Sequence, residues 1–297
     1  MSANSAQLVI TPERLAIPQD DVVFAVEGPG TISCLQGIFT NDLEKPGPRS
    51  LLWGAMLTQK GMIVSDGWIR RDGDSAVVVV PRPGAAEVAD LFRRSLPPRL
   101  ARVTDLSGSR VVWWLTGDVI QGVDGVHAVS EGIAAPFRAM AVLERDVAAS
   151  GFGGAAGITI ADSTDGDILA LFAGWPVLGR EIDDRTLIQE VRFDELGGVR
   201  YDKGCYVGQE TVARLHFRGH PNRTLRALAG TGAPPAPGTV VGGPEREMGR
   251  LATVLSVGDR WLASCRLRRE VETGAEVAVG PAAAVVGEFP IDPASLS

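Results

Sequence analysis

The sequence has few of the residues that build metal centres and disulfide frameworks. Among 297 residues there are three cysteines and three histidines. The cysteines Cys34, Cys205 and Cys265 are far apart, and their spacing fits neither a disulfide scaffold nor a zinc site. A stable iron–sulfur cluster usually takes about four thiolates. We therefore predict no metal site, and we expect unpaired cysteines to reflect a reducing, cytoplasmic setting.

Long apolar runs and an excess of positive charge are also lacking. No stretch approaches the roughly 20 apolar residues of a membrane-spanning helix, and residues 1–8 lack the pattern of a signal peptide. We interpret them as a short disordered lead-in. The formal net charge of −7 argues against a general nucleic-acid-binding surface. The local strip Arg266, Arg268 and Arg269 is expected to be the solvated face of a strand.

The remaining patterns predict an α+β protein with a separate β-rich end. Residues 51–147 alternate strand and helix patterns. After Pro221 the strand candidates 250–257, 261–265 and 276–279 are separated by glycine turns, which indicates a small antiparallel barrel or sandwich. Between these parts, 148–157 reads as a connector and 167–172 as a short strand. Thr186, followed by Gln189, predicts the start of a helix.

The most unusual stretch is Lys-Gly-Cys-Tyr-Val-Gly-Gln-Glu at 203–210. A helix is predicted over 209–217, so Cys205 precedes a helix N-terminus and Lys203 stands two residues upstream. Both the helix end and a nearby ammonium favour thiolate over thiol. The alternative interpretation is a turn, a cap and a buried free cysteine.

Three other positions carry groups that could bind a ligand. A carboxylate at Asp66, in a predicted strand, could hold a cationic or NH-rich ligand or steer a proton. Spacing alone favours a strand-edge charge that faces water. Asn41 reads first as a turn residue, and Glu190 reads as a solvated helix residue.

The stretch 203–210, continued by Thr-Val-Ala-Arg at 211–214, resembles the signature of the YgfZ family of folate-binding proteins. That family is related to the aminomethyltransferase of glycine cleavage, the T-protein. Three further segments are similar in order and spacing: the Leu-Gln-Gly and Thr-Asn-Asp motifs in 35–42, Lys-Gly to Asp in 60–66, and Ala-Gly-Trp-Pro with its acidic residues in 173–183. The resemblance covers about residues 20–230.

The resemblance implies a three-domain α+β cloverleaf like the T-protein, with a small C-terminal antiparallel β-domain. The first domain is expected to be split between 1–50 and 148–222 and to carry the signature. The second is expected at 51–147, and a C-terminal β-barrel at 223–297.

The resemblance also implies a folate-binding protein that supports iron–sulfur cluster assembly or repair. Its cofactor would be tetrahydrofolate or a related reduced folate, and its partners iron–sulfur client or assembly proteins. The expected catalytic residues are Cys205, Lys203 and Asp66. The expected cofactor-binding residues are Asn41, Asp66, Glu190, Tyr206, Gln209 and Arg214, and the signature adds Gly204, Gly208 and Glu210.

Two alternative functions stay open. They differ in whether the protein is an enzyme. One is a folate-dependent one-carbon transferase, aminomethyl or demethylating. The other is a scaffold whose folate cavity is vestigial. The family often has arginine and glutamate near 170 and 172, where this chain has Ala170 and Phe172, so folate contacts from that segment are not expected.

Overall fold

The computed structural model describes residues 14–47, 50–117, 126–129, 136–137, 139–145, 158–243 and 246–292. The predicted lead-in 1–8 and connector 148–157 lie outside these residues. The helices are α1 (Thr31–Gln36), α2 (Ala85–Ser95), α3 (Ser163–Ala173) and α4 (Gln209–Arg218), and short 3-10 turns occupy Arg82–Gly84 and Ile188–Glu190. No helix in the described ranges has the length and apolar character needed to cross a bilayer.

The strands fall into two sheets and a barrel. In chain order they are β1 (Arg14–Gln19), β2 (Asp21–Glu27), β3 (Leu51–Leu57), β4 (Ile63–Asp72), β5 (Ser75–Pro81), β6 (Arg102–Asp105), β7 (Arg110–Leu115), β8 (Val126–Val129), β9 (Ala139–Glu144), β10 (Ile158–Ile160), β11 (Arg223–Thr231), β12 (Val240–Gly243), β13 (Arg246–Val257), β14 (Arg260–Arg268), β15 (Glu276–Val279) and β16 (Ala282–Gly287).

Strand pairing in the two sheets crosses the predicted boundary at residue 50. One sheet has the order β10-β1-β7-β9-β8 and the other β3-β4-β5-β2-β6. The N-terminal strand β2 pairs with β5 and β6, and β1 pairs with β7. A division of 1–50 from 51–147 therefore does not coincide with a division between sheets.

The C-terminal strands close into an antiparallel barrel in the order β11-β14-β13-β12-β15-β16. Leu228, Trp261 and Leu267 are among the residues that fill its core. Closure leaves no unpaired edge to the sheet. The predicted α+β class with a small antiparallel C-terminal β-domain is confirmed, and β11 begins at Arg223, where the third domain was expected.

The β3-β4-β5-β2-β6 sheet is buried on both faces. Val78 and Val80 point into one apolar cluster, and Val79 between them points into the other, because successive side chains of a strand alternate between faces. The face that carries Val79 also carries Val23 and Trp68. This second face holds the site described below.

The prediction of a strand at 167–172 is wrong, because these residues lie in helix α3. Asp162 caps the helix: its Oδ1 accepts hydrogen bonds from the backbone N–H groups of Thr164 (2.8 Å) and Asp165 (3.1 Å). The carboxylate of Asp165 accepts in return from the N–H of Asp162. This is a capping box made by two aspartates.

The helix predicted from Thr186 is also wrong. The Thr186 hydroxyl accepts a hydrogen bond from the backbone N–H of Asp183 (2.9 Å) and donates to the Asp183 carboxylate (2.8 Å). These bonds close a turn between Asp183 and Thr186, so Thr186 ends a turn and does not begin a helix. Only the 3-10 turn Ile188–Glu190 follows.

Candidate functional site

The signature loop, residues 203–210, is anchored by the ammonium group of Lys203. Its Nζ donates hydrogen bonds to the carbonyl oxygens of Gln36 (2.8 Å), Phe39 (2.6 Å) and Asn41 (2.8 Å). An ammonium has three donors, so all are used. Desolvation lowers the pKa of Lys203 to about 8. Lys203 thus ties the loop to the end of α1 and to the connection that follows it. Its expected role in favouring a Cys205 thiolate stays a prediction.

Two glycines bring the loop against the β3–β4 turn. Gly208 and Gly61 both have positive φ, 85° and 83°, which strains a residue with a side chain. A Cβ on Gly208 would lie 2.6 Å from the carbonyl oxygen of Thr58 and 3.1 Å from the Cα of Gly61. The signature thus contacts two of the other segments that carry the family resemblance.

Cys205 and Tyr206 point in opposite directions from this loop. The Cys205 side chain is exposed to solvent, so the interpretation as a buried free cysteine is wrong. Tyr206 is buried in the apolar cluster beneath, and its ring centroid lies 5.0 Å from the Lys203 Nζ. Burial raises the pKa of Tyr206. The loop is therefore anchored by Lys203 and Tyr206, and it exposes the thiol of Cys205 to solvent.

Most of the other signature residues lie in α4 or at its N-cap. Gly208 is the N-cap of this helix. Gln209 is half-buried, whereas Gly204, Glu210 and Arg214 are exposed. The side chains of Glu210 and Arg214 are thus exposed, as Cys205 is, and do not lie among the buried residues around Asp66.

Asp66 lies inside the protein, on the second strand of its sheet. Its side chain is 5% exposed, so the interpretation as a strand-edge charge facing water is wrong. Oδ2 accepts a hydrogen bond from the indole N–H of Trp53 at 3.1 Å. Oδ1 is buried and has no hydrogen-bond partner in the described part of the chain. Desolvation raises the pKa of Asp66 to about 6, because burial penalises the charged form.

Trp53, which binds this carboxyl, belongs to a group of packed aromatic rings. Trp175 lies 4.3 Å from Trp53, 5.9 Å from Trp68 and 6.4 Å from Trp114, measured between ring centroids. Phe137 packs against Trp114 at 4.4 Å. We call these five residues the tryptophan cluster. Four of the six tryptophans of the chain belong to it, a concentration that spacing along the sequence does not reveal.

Asp21 is a second acidic residue at this cluster that the sequence did not single out. Its Oδ2 accepts a hydrogen bond from the indole N–H of Trp114 at 3.2 Å. It stands beside Asp20 at the start of a strand, where a charged residue is unremarkable on local grounds. Only the fold places it near Asp66.

Asn41 lies in the anchored connection and is 3% exposed. Its Nδ2 donates hydrogen bonds to the carbonyl oxygens of Trp53 (2.8 Å) and Gly197 (2.9 Å), and its Oδ1 accepts from the N–H of Asp42. The amide is thus occupied by contacts that hold three segments together.

Glu190 is buried and not a solvated helix residue, which corrects that interpretation. Its Oε2 accepts from the N–H of Leu187 at 3.3 Å and from the Arg266 guanidinium at 3.4 Å. Burial raises its pKa despite that cation. Arg266 also pairs with Asp183. The expectation of a solvated arginine strip is therefore wrong for Arg266, which joins the barrel to the 3-10 turn.

Several known proteins with similar sequences are named YgfZ. The chain is 38% identical over 115 residues to the tRNA-modifying protein YgfZ of Cronobacter sakazakii, a match that covers 36% of this chain and 34% of that protein. It is 43% identical over 63 residues to the YgfZ protein of Escherichia coli, which covers 21% of this chain and 19% of that one. The matched stretches thus span about a third or less of these relatives. No protein-family model matches the chain.

A solved structure extends the similarity to nearly the whole molecule. The glycine cleavage system aminomethyltransferase T from Bartonella henselae superposes with a TM-score of 0.76, covering 94% of this chain and 86% of that one at 18% identity. The fold is that of aminomethyltransferase T. The resemblance to YgfZ and to the T-protein fold is thereby confirmed.

Proposed function

We propose that this chain is a folate-binding protein that supports iron–sulfur cluster assembly or repair, with tetrahydrofolate or a related reduced folate as cofactor and Cys205 as a reactive thiol. The observation that carries the folate part is the free Oδ1 of Asp66, buried beside Trp53. A buried oxygen without a partner costs about 1–3 kcal/mol. A ligand that donates a hydrogen bond to it would remove this cost.

The tryptophan cluster suits the same ligand. The pyrimidine part of a reduced pterin is flat and carries several N–H donors, so it can stack on an aromatic ring and bind a carboxylate. Asp66 would hold the pterin and the cluster would cover it. A bound reduced folate would act as the carrier of a one-carbon group.

The exposure of Cys205 fits a thiol that meets a partner protein. Cys34 is half-buried and Cys265 is buried, so Cys205 is the cysteine that a client protein can reach most easily. An iron–sulfur cluster would be cargo passed between other proteins in the cytoplasm. The Lys203 anchor would hold the loop in a fixed shape for this contact.

Calorimetric titration with tetrahydrofolate tests the cofactor. Asp66→Asn keeps the shape and the acceptor for Trp53 but replaces the free acceptor by a donor. We expect binding by the unmodified protein and a loss of roughly tenfold or more in affinity for Asp66→Asn. Asp72→Asn changes an exposed aspartate on the same strand and should bind normally. Absence of binding by the unmodified protein would remove folate from the proposal.

Complementation tests the thiol. In a strain that lacks the protein, the activities of iron–sulfur enzymes should be restored by the unmodified chain and by Cys34→Ser, but not by Cys205→Ser. Equal rescue by Cys205→Ser would contradict the role of the thiol and favour a scaffold.

A one-carbon transferase, aminomethyl or demethylating, is the second candidate, and the pKa of Asp66 favours it. A carboxyl with a pKa of about 6 can take up or release a proton near neutral pH. Formation of methylene-tetrahydrofolate from an amine donor, lost in Asp66→Asn but kept in Cys205→Ser, would support this candidate over the first.

A further inference from the structure

Asp21 and Asp66 are level with each other on the same face of one sheet. Strand β5 lies between β2 and β4: its Val79 stands opposite Val23 of β2 and opposite Trp68 of β4. Pro81 lies two residues after Val79 on β5. At the same level, two residues before Val23 on β2 is Asp21, and two residues before Trp68 on β4 is Asp66. Because side chains two apart share a face, both carboxyls lie on the face of Val23 and Trp68. Two strand spacings, roughly 10 Å, separate their backbones.

The two carboxyls are held in the same way. Trp53 donates its indole N–H to Asp66 at 3.1 Å, and Trp114 donates its own to Asp21 at 3.2 Å. Both indoles contact Trp175. Each aspartate is thus oriented by one tryptophan of a single cluster, which leaves the second oxygen of Asp66 without a partner in the described residues.

Asp21 is the less enclosed carboxyl of the two. The residue keeps partial contact with solvent, yet desolvation, followed by the charge of Asp66, raises its pKa to about 7. Asp21 is thus the carboxyl of the two that solvent reaches, whereas Asp66 is 5% exposed. Arg82 attracts the Asp21 charge, but it is ion-paired with Asp20 at 2.6 Å.

We propose that Asp21 is a second ligand-binding carboxyl of the Asp66 site, and that the pair accepts hydrogen bonds from N–H groups of one flat, amino-substituted heterocycle covered by the tryptophan cluster. This inference rests on the proposed folate function and assigns the pterin ring to both carboxyls. A metal ion fits less well. Hard cations take about six oxygen ligands, and no group of three ligating residues occurs in the described part of the chain.

Binding of a pterin fragment separates ring recognition from the rest of the cofactor. Tetrahydrofolate and 6-methyl-tetrahydropterin, which lacks the aminobenzoyl-glutamate part, are titrated into the unmodified protein, Asp21→Asn, Asp66→Asn and Asp20→Asn. Asp21→Asn keeps an acceptor for Trp114. We expect it to weaken both ligands by the same factor, roughly tenfold or more. Asp20→Asn, the exposed neighbour, should change affinity by less than about twofold.

Each other outcome has a distinct meaning. If the unmodified protein binds tetrahydrofolate and Asp21→Asn binds it equally well, the inference is overturned and the folate proposal stands. If Asp21→Asn weakens tetrahydrofolate but not the fragment, Asp21 does not contact the ring, and the inference is again overturned. If the unmodified protein binds neither ligand, the proposed function itself fails. Urea unfolding of each variant at the titration pH confirms that it is folded.

Discussion

The Nζ atom of Lys203 lies 2.6 Å from the carbonyl oxygen of Phe39, a residue 164 positions away. This ammonium also binds two further carbonyl oxygens between residues 36 and 41. It therefore supplies a hydrogen-bond donor to the last residue of α1, Gln36, and to Phe39 and Asn41 in the connection that follows. The signature loop 203–210 is thus held in place by Lys203, a residue that the sequence predicted to be catalytic.

Lys203→Met should destabilise the protein strongly, because it leaves three carbonyl oxygens without their charged donor. We expect a loss of about 2–4 kcal/mol in the free energy of unfolding, measured with urea. Lys45→Met removes an exposed lysine and should cost less than about 1 kcal/mol. A stable Lys203→Met protein whose Cys205 alkylates more slowly would instead assign the ammonium to the thiol.

Gly208→Ala should be far more damaging than Gly204→Ala, although both change a glycine of the signature. The first places a Cβ 2.6 Å from the Thr58 carbonyl oxygen at a positive φ, whereas a Cβ on Gly204 meets nothing within 4 Å. We expect Gly208→Ala to lower the free energy of unfolding by about 2 kcal/mol or more, and Gly204→Ala to change it by less than about 0.5 kcal/mol. Similar values for the two variants would mean that the loop does not pack against Gly61 as described.

Local sequence patterns predicted several elements around the site but did not predict its long-range contacts. The helix expected over 209–217 is α4, Gln209–Arg218, because glycine punctuation and a short amphipathic run are local signals. The capping box at Asp162 is equally local, but it uses aspartate at both ends. Sequence patterns did not reveal it and predicted a strand at 167–172, inside the helix that this box begins.

The partners of the site could not be predicted, because they depend on the fold. Asp21 and Trp114 are 93 positions apart and form a hydrogen bond. Glu190 and Arg266 are 76 positions apart and form an ion pair. Spacing describes only which side chains share a face of one element. Which faces meet follows from the pairing of the strands, and that pairing buries the carboxyls that spacing placed in water.

The three cysteines should be alkylated in the order Cys205, Cys34, Cys265. Cys205 is exposed and Cys34 half-buried. Cys265 lies in the barrel core, where burial raises the pKa of its thiol to about 12, and only the thiolate reacts. A time course with iodoacetamide at neutral pH, followed by peptide mass spectrometry, measures the three rates. Faster labelling of Cys34 than of Cys205 would contradict the outward orientation of the signature thiol.

Asp66→Asn should make the protein more stable at pH 8 and not at pH 4. The pKa of Asp66 is raised to about 6 and that of Asp21 to about 7, whereas an unfolded chain titrates near 3.9. Between these values the folded state binds more protons, so the free energy of unfolding falls as the pH rises from about 4 to 7. Asparagine cannot ionise and avoids this loss.

The expected gain for Asp66→Asn at pH 8 is about 1–3 kcal/mol, measured by urea unfolding, and it should vanish toward pH 4. Asp21→Asn should show the same sign with at least the same size, because the pKa of Asp21 is raised further, to about 7. Asp72→Asn, at the exposed end of the same strand as Asp66, is the control and should show no such pH dependence. A constant difference between Asp66→Asn and the unmodified protein from pH 4 to pH 8 would show that this carboxyl does not change its protonation in the folded state. A carboxyl such as Asp66, which lowers the stability of the folded protein, is expected at a position where it contributes to ligand binding.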